Sequence, residues 1–163
     1  MHCHRAVSRG GLSAGFTLIE LVIVIVIVSI LMAVALPGFQ DAMRKGRRAD
    51  AKEGLMDAAN RQERYMLDRS AYTRDMEDLG FGADPSISVE GHYEIDVDET
   101  ATTALCSPVY GGTDNTISSP PCYVITATPV AGGAQAGDAR CTKFILDSTG
   151  AKSAEGSTPD ECW

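Results

Sequence analysis

Hydrophobic and polar positions divide this 163-residue chain into stretches of different rhythm. From Phe16 to Leu36 the apolar run is almost unbroken, and of its 21 residues only Thr17, Glu20 and Ser29 are polar. A helix of that length rises roughly 30 Å, the thickness of a bilayer's hydrocarbon core. Beyond it Phe39, Ala42, Met43, Gly46 and Ala49 recur at helical spacing, followed by Leu55, Met56, Ala59 and Met66. No strong breaker follows until Ser70, so the pattern predicts one helix from about Phe16 to about Leu67. Pro37 and Gly38 punctuate it: proline cannot donate to the carbonyl of Ala33, and a kink or local melting is expected there. The second half of the helix is expected to lay its apolar stripe on a folded domain.

The rhythm then changes. Residues 70–91 contain Gly80, Gly82, Pro85 and Gly91, and read as a connecting loop with one short turn of helix. From His92 to Glu99 the pattern alternates, Tyr93, Ile95 and Val97 against Glu94, Asp96 and Asp98, as in a half-buried strand. Cys122–Thr128 and Lys143–Asp147 are further strand candidates, with a turn at Ser148-Thr149-Gly150. Three or four short strands on one amphipathic helix predict an α+β domain with a small antiparallel sheet.

One charge changes the meaning of the apolar run. A carboxylate near the end of such a segment is costly in lipid, so Glu20 needs either a partner or a route to the interface. Gly15-Phe16-Thr17-Leu18-Ile19-Glu20 resembles the processing and assembly signature of type IV pilins and the related pseudopilins. The resemblance implies cleavage between Gly15 and Phe16 by a prepilin peptidase, N-methylation of Phe16, and Glu20 as the assembly residue. It also implies the pilin fold, a long transmembrane helix packed on a small antiparallel sheet. Physically, cleavage exposes a cationic amine four positions before Glu20. Across a helix–helix contact between staggered subunits that pair rewards one register over others.

The expected organisation is a cleaved leader over residues 1–15, a membrane and assembly helix over 16–36, its amphipathic continuation over 37–69, and a globular domain over 70–163. The Met-His-Cys-His start leaves with the leader. Arg5 and Arg9 before the span favour a cytoplasmic leader and an exported body. The remaining chain carries 12 basic and 22 acidic side chains, formally −10. Residues 37–69 hold eight basic and six acidic side chains, and residues 70–163 four and fifteen. The acidic domain argues against non-specific nucleic-acid binding. The cluster Arg44, Lys45, Arg47 and Arg48 suits either anionic headgroups and acidic neighbours or a plain solvated face. The acidic row of the first strand reads as a solvated face rather than a calcium site, lacking a glycine-containing loop.

Without the leader, four cysteines remain: Cys106, Cys122, Cys141 and Cys162. There is no C-x-x-C pair and His92 is the one histidine left, so no metal framework is expected. An even count in an exported domain favours two disulfides, of three possible connectivities. The expected pairs are Cys106–Cys122, closing a loop rich in proline and glycine, and Cys141–Cys162, clamping the carboxyl tail. Arg61-Gln62-Glu63-Arg64-Tyr65, Tyr72-Thr73 and the terminal Cys141…Cys162-Trp163 resemble the PilE-like minor pilin branch in particular.

No nucleophile–base arrangement, phosphate-cradling loop or metal spacing competes, so neither catalytic residues nor a cofactor is expected. The implied role is a minor subunit of a type IV pilus serving adhesion, twitching motility or DNA uptake. Alternatives are a pseudopilin of a type II secretion system and a filament-borne receptor for DNA or a surface. Implied partners are other major and minor pilins, the prepilin peptidase, the inner-membrane assembly platform, and membrane lipid before assembly. The implied location is a single-pass inner-membrane protein with a periplasmic domain, then a cell-surface filament.

Overall fold

A computed structural model describes residues 15–106, 108, 116–117 and 121–163; most of the expected leader lies outside them. One helix, α1, runs from Leu18 to Arg69. It continues through positions 37 and 38 without interruption, which corrects the expectation of local melting there. A proline removes one hydrogen bond, whereas helix propagation on both sides retains the rest. The chain divides into two compact units, one ending at Gln40 and one from Asp41 to Trp163.

In the first unit the helix is apolar on every side, and none of its most hydrophobic stretch is buried within the protein. Length and composition suffice for crossing a membrane. The hydroxyl of Ser29 donates to the carbonyl of Ile25 at 2.7 Å, so this polar group is satisfied within the helix itself.

In the second unit the helix packs on an antiparallel sheet. Five strands run in the order β2 (Ser86–Ile87), β3 (Tyr93–Val97), β5 (Val124–Pro129), β6 (Lys143–Asp147) and β7 (Lys152–Glu155). A separate pair joins β1 (Tyr72–Thr73) to β4 (Thr116–Ile117). Register places Ile95 opposite Ala127, and Ala127 opposite Phe144, so the inward row is continuous across three strands. Against it lie Ala51, Leu55 and Ala58 of α1. Tyr93 and Phe144 meet edge to face, and Phe144 does the same with Trp163. At Gly54 an added Cβ would lie 2.9 Å from the Ile95 side chain, so glycine there permits the close approach of helix to sheet. β7 escapes the sequence pattern because Lys-Ser-Ala-Glu is a largely exposed edge strand with no apolar alternation.

Disulfides join Cys106 to Cys122 and Cys141 to Cys162. The first sits with Val124, Ala101 and Ile145 in a small cluster apart from the main core. The second is buried in the core, and the indole N–H of Trp163 donates to the carbonyl of Ser153 on β7 at 2.6 Å. The carboxyl tail is thereby tied to the sheet edge. Cys141→Ser is expected to cost about 3 kcal/mol, the chain-entropy value for a loop of this size. Thermal melting of the detergent-solubilised protein checks it: an unchanged midpoint would show that the bridge adds nothing.

Candidate assembly site

The amino-terminal residues come first. Gly15, Phe16 and Thr17 precede the helix and are exposed. The Thr17 Oγ1 accepts the backbone N–H of Glu20 at 3.3 Å, so threonine caps the helix three residues before a first-turn acid. Thr-x-x-Glu is the spacing of a capping box, a signal the sequence reading passed over. Exposed Glu20 thus sits where the helix dipole favours a negative charge. Its carboxylate is available to a partner.

Polar residues along α1 hold the helix to the domain. The Arg48 guanidinium donates to both oxygens of Asp138, at 2.8 and 2.9 Å, and both side chains are buried. Gln135 and the backbone N–H of Arg140 also donate to Asp138. Burial works to raise the Asp138 carboxyl, but hydrogen bonding and charge from Arg48 outweigh it and hold the group below its usual range. Asp50 accepts from the Ser88 hydroxyl at 2.6 Å and from the backbone N–H groups of Glu90 and His92. Gln62 bonds the backbone of Thr73 in both directions, and Glu63 accepts from the hydroxyls of Tyr72 and Tyr123.

These contacts divide the expected basic cluster. Arg48 belongs to the core and is unavailable to lipid or a neighbour, whereas Lys45 is exposed and Arg44 and Arg47 are half-buried. The acidic row on β3 is also less solvated than expected: Glu94, Asp96 and Asp98 are half-buried, and Asp98 pairs with Lys143 at 3.5 Å. Burial, with the neighbouring Asp84 carboxylate, pushes Asp96 up to about 6. A carboxyl raised on folding makes the native state bind the extra proton, so this group's contribution falls as pH rises from about 4 through about 6. Asp96→Asn is therefore expected to stabilise the protein at pH 7.5 by about 1 kcal/mol, discounted for solvent, and to do little at pH 4. Melting at the two pH values decides it; equal effects at both would remove the titration from the explanation.

A capped apolar helix whose continuation is pinned to an antiparallel sheet with a disulfide-tied carboxyl tail is the architecture of a type IV pilin. Comparison with known proteins agrees. Residues 12–36 match the prokaryotic N-terminal methylation motif, and residues 37–145 match the family described as type IV minor pilin ComP, DNA uptake sequence receptor. The chain belongs to this type IV minor pilin family.

The chain is 39% identical over 98 residues to the type IV major pilin protein PilE of Neisseria gonorrhoeae, covering 57% of this chain and 56% of that one. It is 44% identical over 59 residues to the type IV wide pilus major component PilA4 of Thermus thermophilus, covering 36% and 45% respectively. Against the type IV major pilin protein PilA of Myxococcus xanthus, identity is 34% over 67 residues, covering 41% and 30%. The chain thus spans little more than half the length of the gonococcal relative it matches.

Proposed function

We propose that the protein is a minor structural subunit of a type IV pilus. A membrane peptidase cuts between Gly15 and Phe16 and the new amine is methylated. The chain then waits in the inner membrane, spanning it with residues 16–36, with residues 70–163 on the periplasmic side. Assembly draws it out of lipid into a surface filament with other pilins, and Glu20 neutralises the Phe16 amine of an adjacent subunit. The observation that carries this reading is the Gly15-to-Glu20 signature leading directly into an apolar helix capped at Thr17. The role is mechanical rather than enzymatic. Immunogold labelling of sheared surface filaments tests it: label along or at the end of filaments is expected, and label confined to membranes would point to a pseudopilin of a secretion machine.

A second reading, DNA capture by the filament, is supported by the family's description as a DNA uptake sequence receptor. Fifteen acidic against four basic side chains in residues 70–163 oppose sequence-independent attraction to phosphate. Contact with DNA on this reading would have to be local and sequence-selective.

A further inference from the structure

The cations that follow the apolar run form a collar on α1. Arg44, Lys45 and Arg47 fall within one turn, about 4.5 Å of axis, and at about 100° per residue Arg47 and Lys45 lie on either side of Arg44. None of the three forms an ion pair among the described residues. Beside them runs the loop of residues 130–137, Val-Ala-Gly-Gly-Ala-Gln-Ala-Gly, which carries no charge. The Arg47 guanidinium donates to the Ala134 carbonyl at 3.4 Å, and the Gln135 amide donates to the carbonyl of Arg44 at 3.1 Å. A Cβ added at Gly137 would lie 3.3 Å from Arg44 Nη2, so glycine lets that guanidinium rest against the loop. Two carboxylates nearby are already engaged, Asp138 by buried Arg48 and Asp41 by Arg140 at 3.4 Å. In a chain whose residues 70–163 hold fifteen acids against four bases, this cationic ring is a surface of opposite sign.

We propose that this collar binds the anionic headgroups of the bilayer that holds the chain before assembly. The inference rests on the pilus-subunit reading only for that residence in a membrane. Eight to eleven residues of α1 separate the cations from Leu36, a rise of at most about 12–16 Å. The headgroup layer occupies about 5–8 Å of that distance. Helical side chains lean toward the amino terminus, here toward the lipid, so long basic ones reach back to it. Their charges then come within about 8 Å of the lipid phosphates, a Debye length at physiological salt. The arrangement selects lipid over other polyanions. A protein neighbour or a DNA duplex meets one side of a helix, whereas a bilayer surface meets every side at one height. Cations spread around a single turn suit the bilayer. Each one near an anionic surface is worth about fivefold in affinity. The contact sets how deep the waiting subunit sits.

Electron spin resonance of the full-length protein in mixed phosphatidylcholine and phosphatidylglycerol bilayers tests the proposal, with a spin-labelled form of each lipid reporting which one occupies the protein boundary. The wild type is expected to favour phosphatidylglycerol about fivefold in about 0.02 M salt and less than about twofold in about 0.5 M. An Arg44→Gln, Lys45→Gln protein should show a low-salt preference below about twofold. Its melting midpoint should not move, since neither side chain forms a hydrogen bond or ion pair among the described residues. Arg44→Lys keeps the charge and should keep the preference. Equal boundary occupancy by the two lipids in the wild type, or a preference that the double variant retains, would overturn the collar. So would loss of the preference to millimolar inorganic phosphate at constant ionic strength, the mark of a discrete phosphate site. Retention of duplex DNA by the collar in pure phosphatidylcholine, without a lipid preference, would overturn it too. Each of these results leaves the subunit reading intact; that reading falls instead if the wild-type chain is absent from sheared filaments.

Discussion

Glu20→Ala is expected to leave the protein processed and membrane-inserted while its share of the sheared-filament pool falls at least tenfold. Two effects of the carboxylate have to be separated. Within the chain it sits in the first turn of α1, where losing a negative charge costs roughly 0.3–1 kcal/mol. The Thr17 cap on the backbone of Glu20 does not depend on that side chain. A 52-residue helix therefore survives the substitution. In the proposed filament the loss is larger, because an adjacent Phe16 amine would be left unpaired in an apolar bundle, at about 3–5 kcal/mol. A tenfold change needs only about 1.4 kcal/mol. Glu20→Gln keeps the shape and hydrogen-bonding capacity without the charge, and should behave like the alanine variant if attraction to the amine dominates. Immunoblots of the membrane and filament pools read this out, and normal incorporation of the alanine variant would reduce Glu20 to a helix-terminal charge.

Arg48→Ala is expected to destabilise the second unit by about 3–5 kcal/mol, a large fraction of a small domain's total stability. The substitution strips the bidentate partner from a carboxylate whose side chain is 2% exposed. Gln135 and the Arg140 N–H remain as donors, but neither carries a positive charge to offset burial. The Asp138 carboxyl, now held low, would rise. Its depressed pKa supplies stability that is present above about pH 4 and lost as acid protonates the folded state, so the variant should also lose part of the wild type's acid sensitivity. Replacing both partners separates charge burial from packing. An Arg48→Met, Asp138→Leu protein should recover most of the loss, since a matched apolar pair removes both desolvation costs. A double variant no better than Arg48→Ala would mean that the pair's geometry, not its charge balance, holds the helix.

Much of the architecture was legible because its periodicities are strong. Tyr93, Ile95 and Val97 alternate against acidic neighbours, and all three are buried. Lys143–Asp147 is a strand with the expected limits. The expectation of local melting at Pro37 and Gly38 overweighted local chemistry against the cooperativity of a long helix. Polar residues on a buried helix arc were harder to read. Arg48, Leu55 and Gln62 are seven residues apart and share one face, yet hydrophobicity alone assigns only Leu55 to the core. Their partners, Asp138 and Thr73, lie far along the chain or across a turn, so no local pattern announces them. Edge strand β7 was invisible for the opposite reason, since solvent on its outer side leaves the composition unconstrained. The amino-terminal signature is legible because it is a run of residue identities in fixed order, matched over residues 12–36 and independent of the domain's packing.

The central claim is that this chain is a processed pilin, and the mass of its amino-terminal peptide tests it most directly. Protein extracted from membranes or sheared filaments should begin at Phe16 with one methyl group on its α-nitrogen. An amino terminus at Met1, or at any position other than Phe16, would contradict the account.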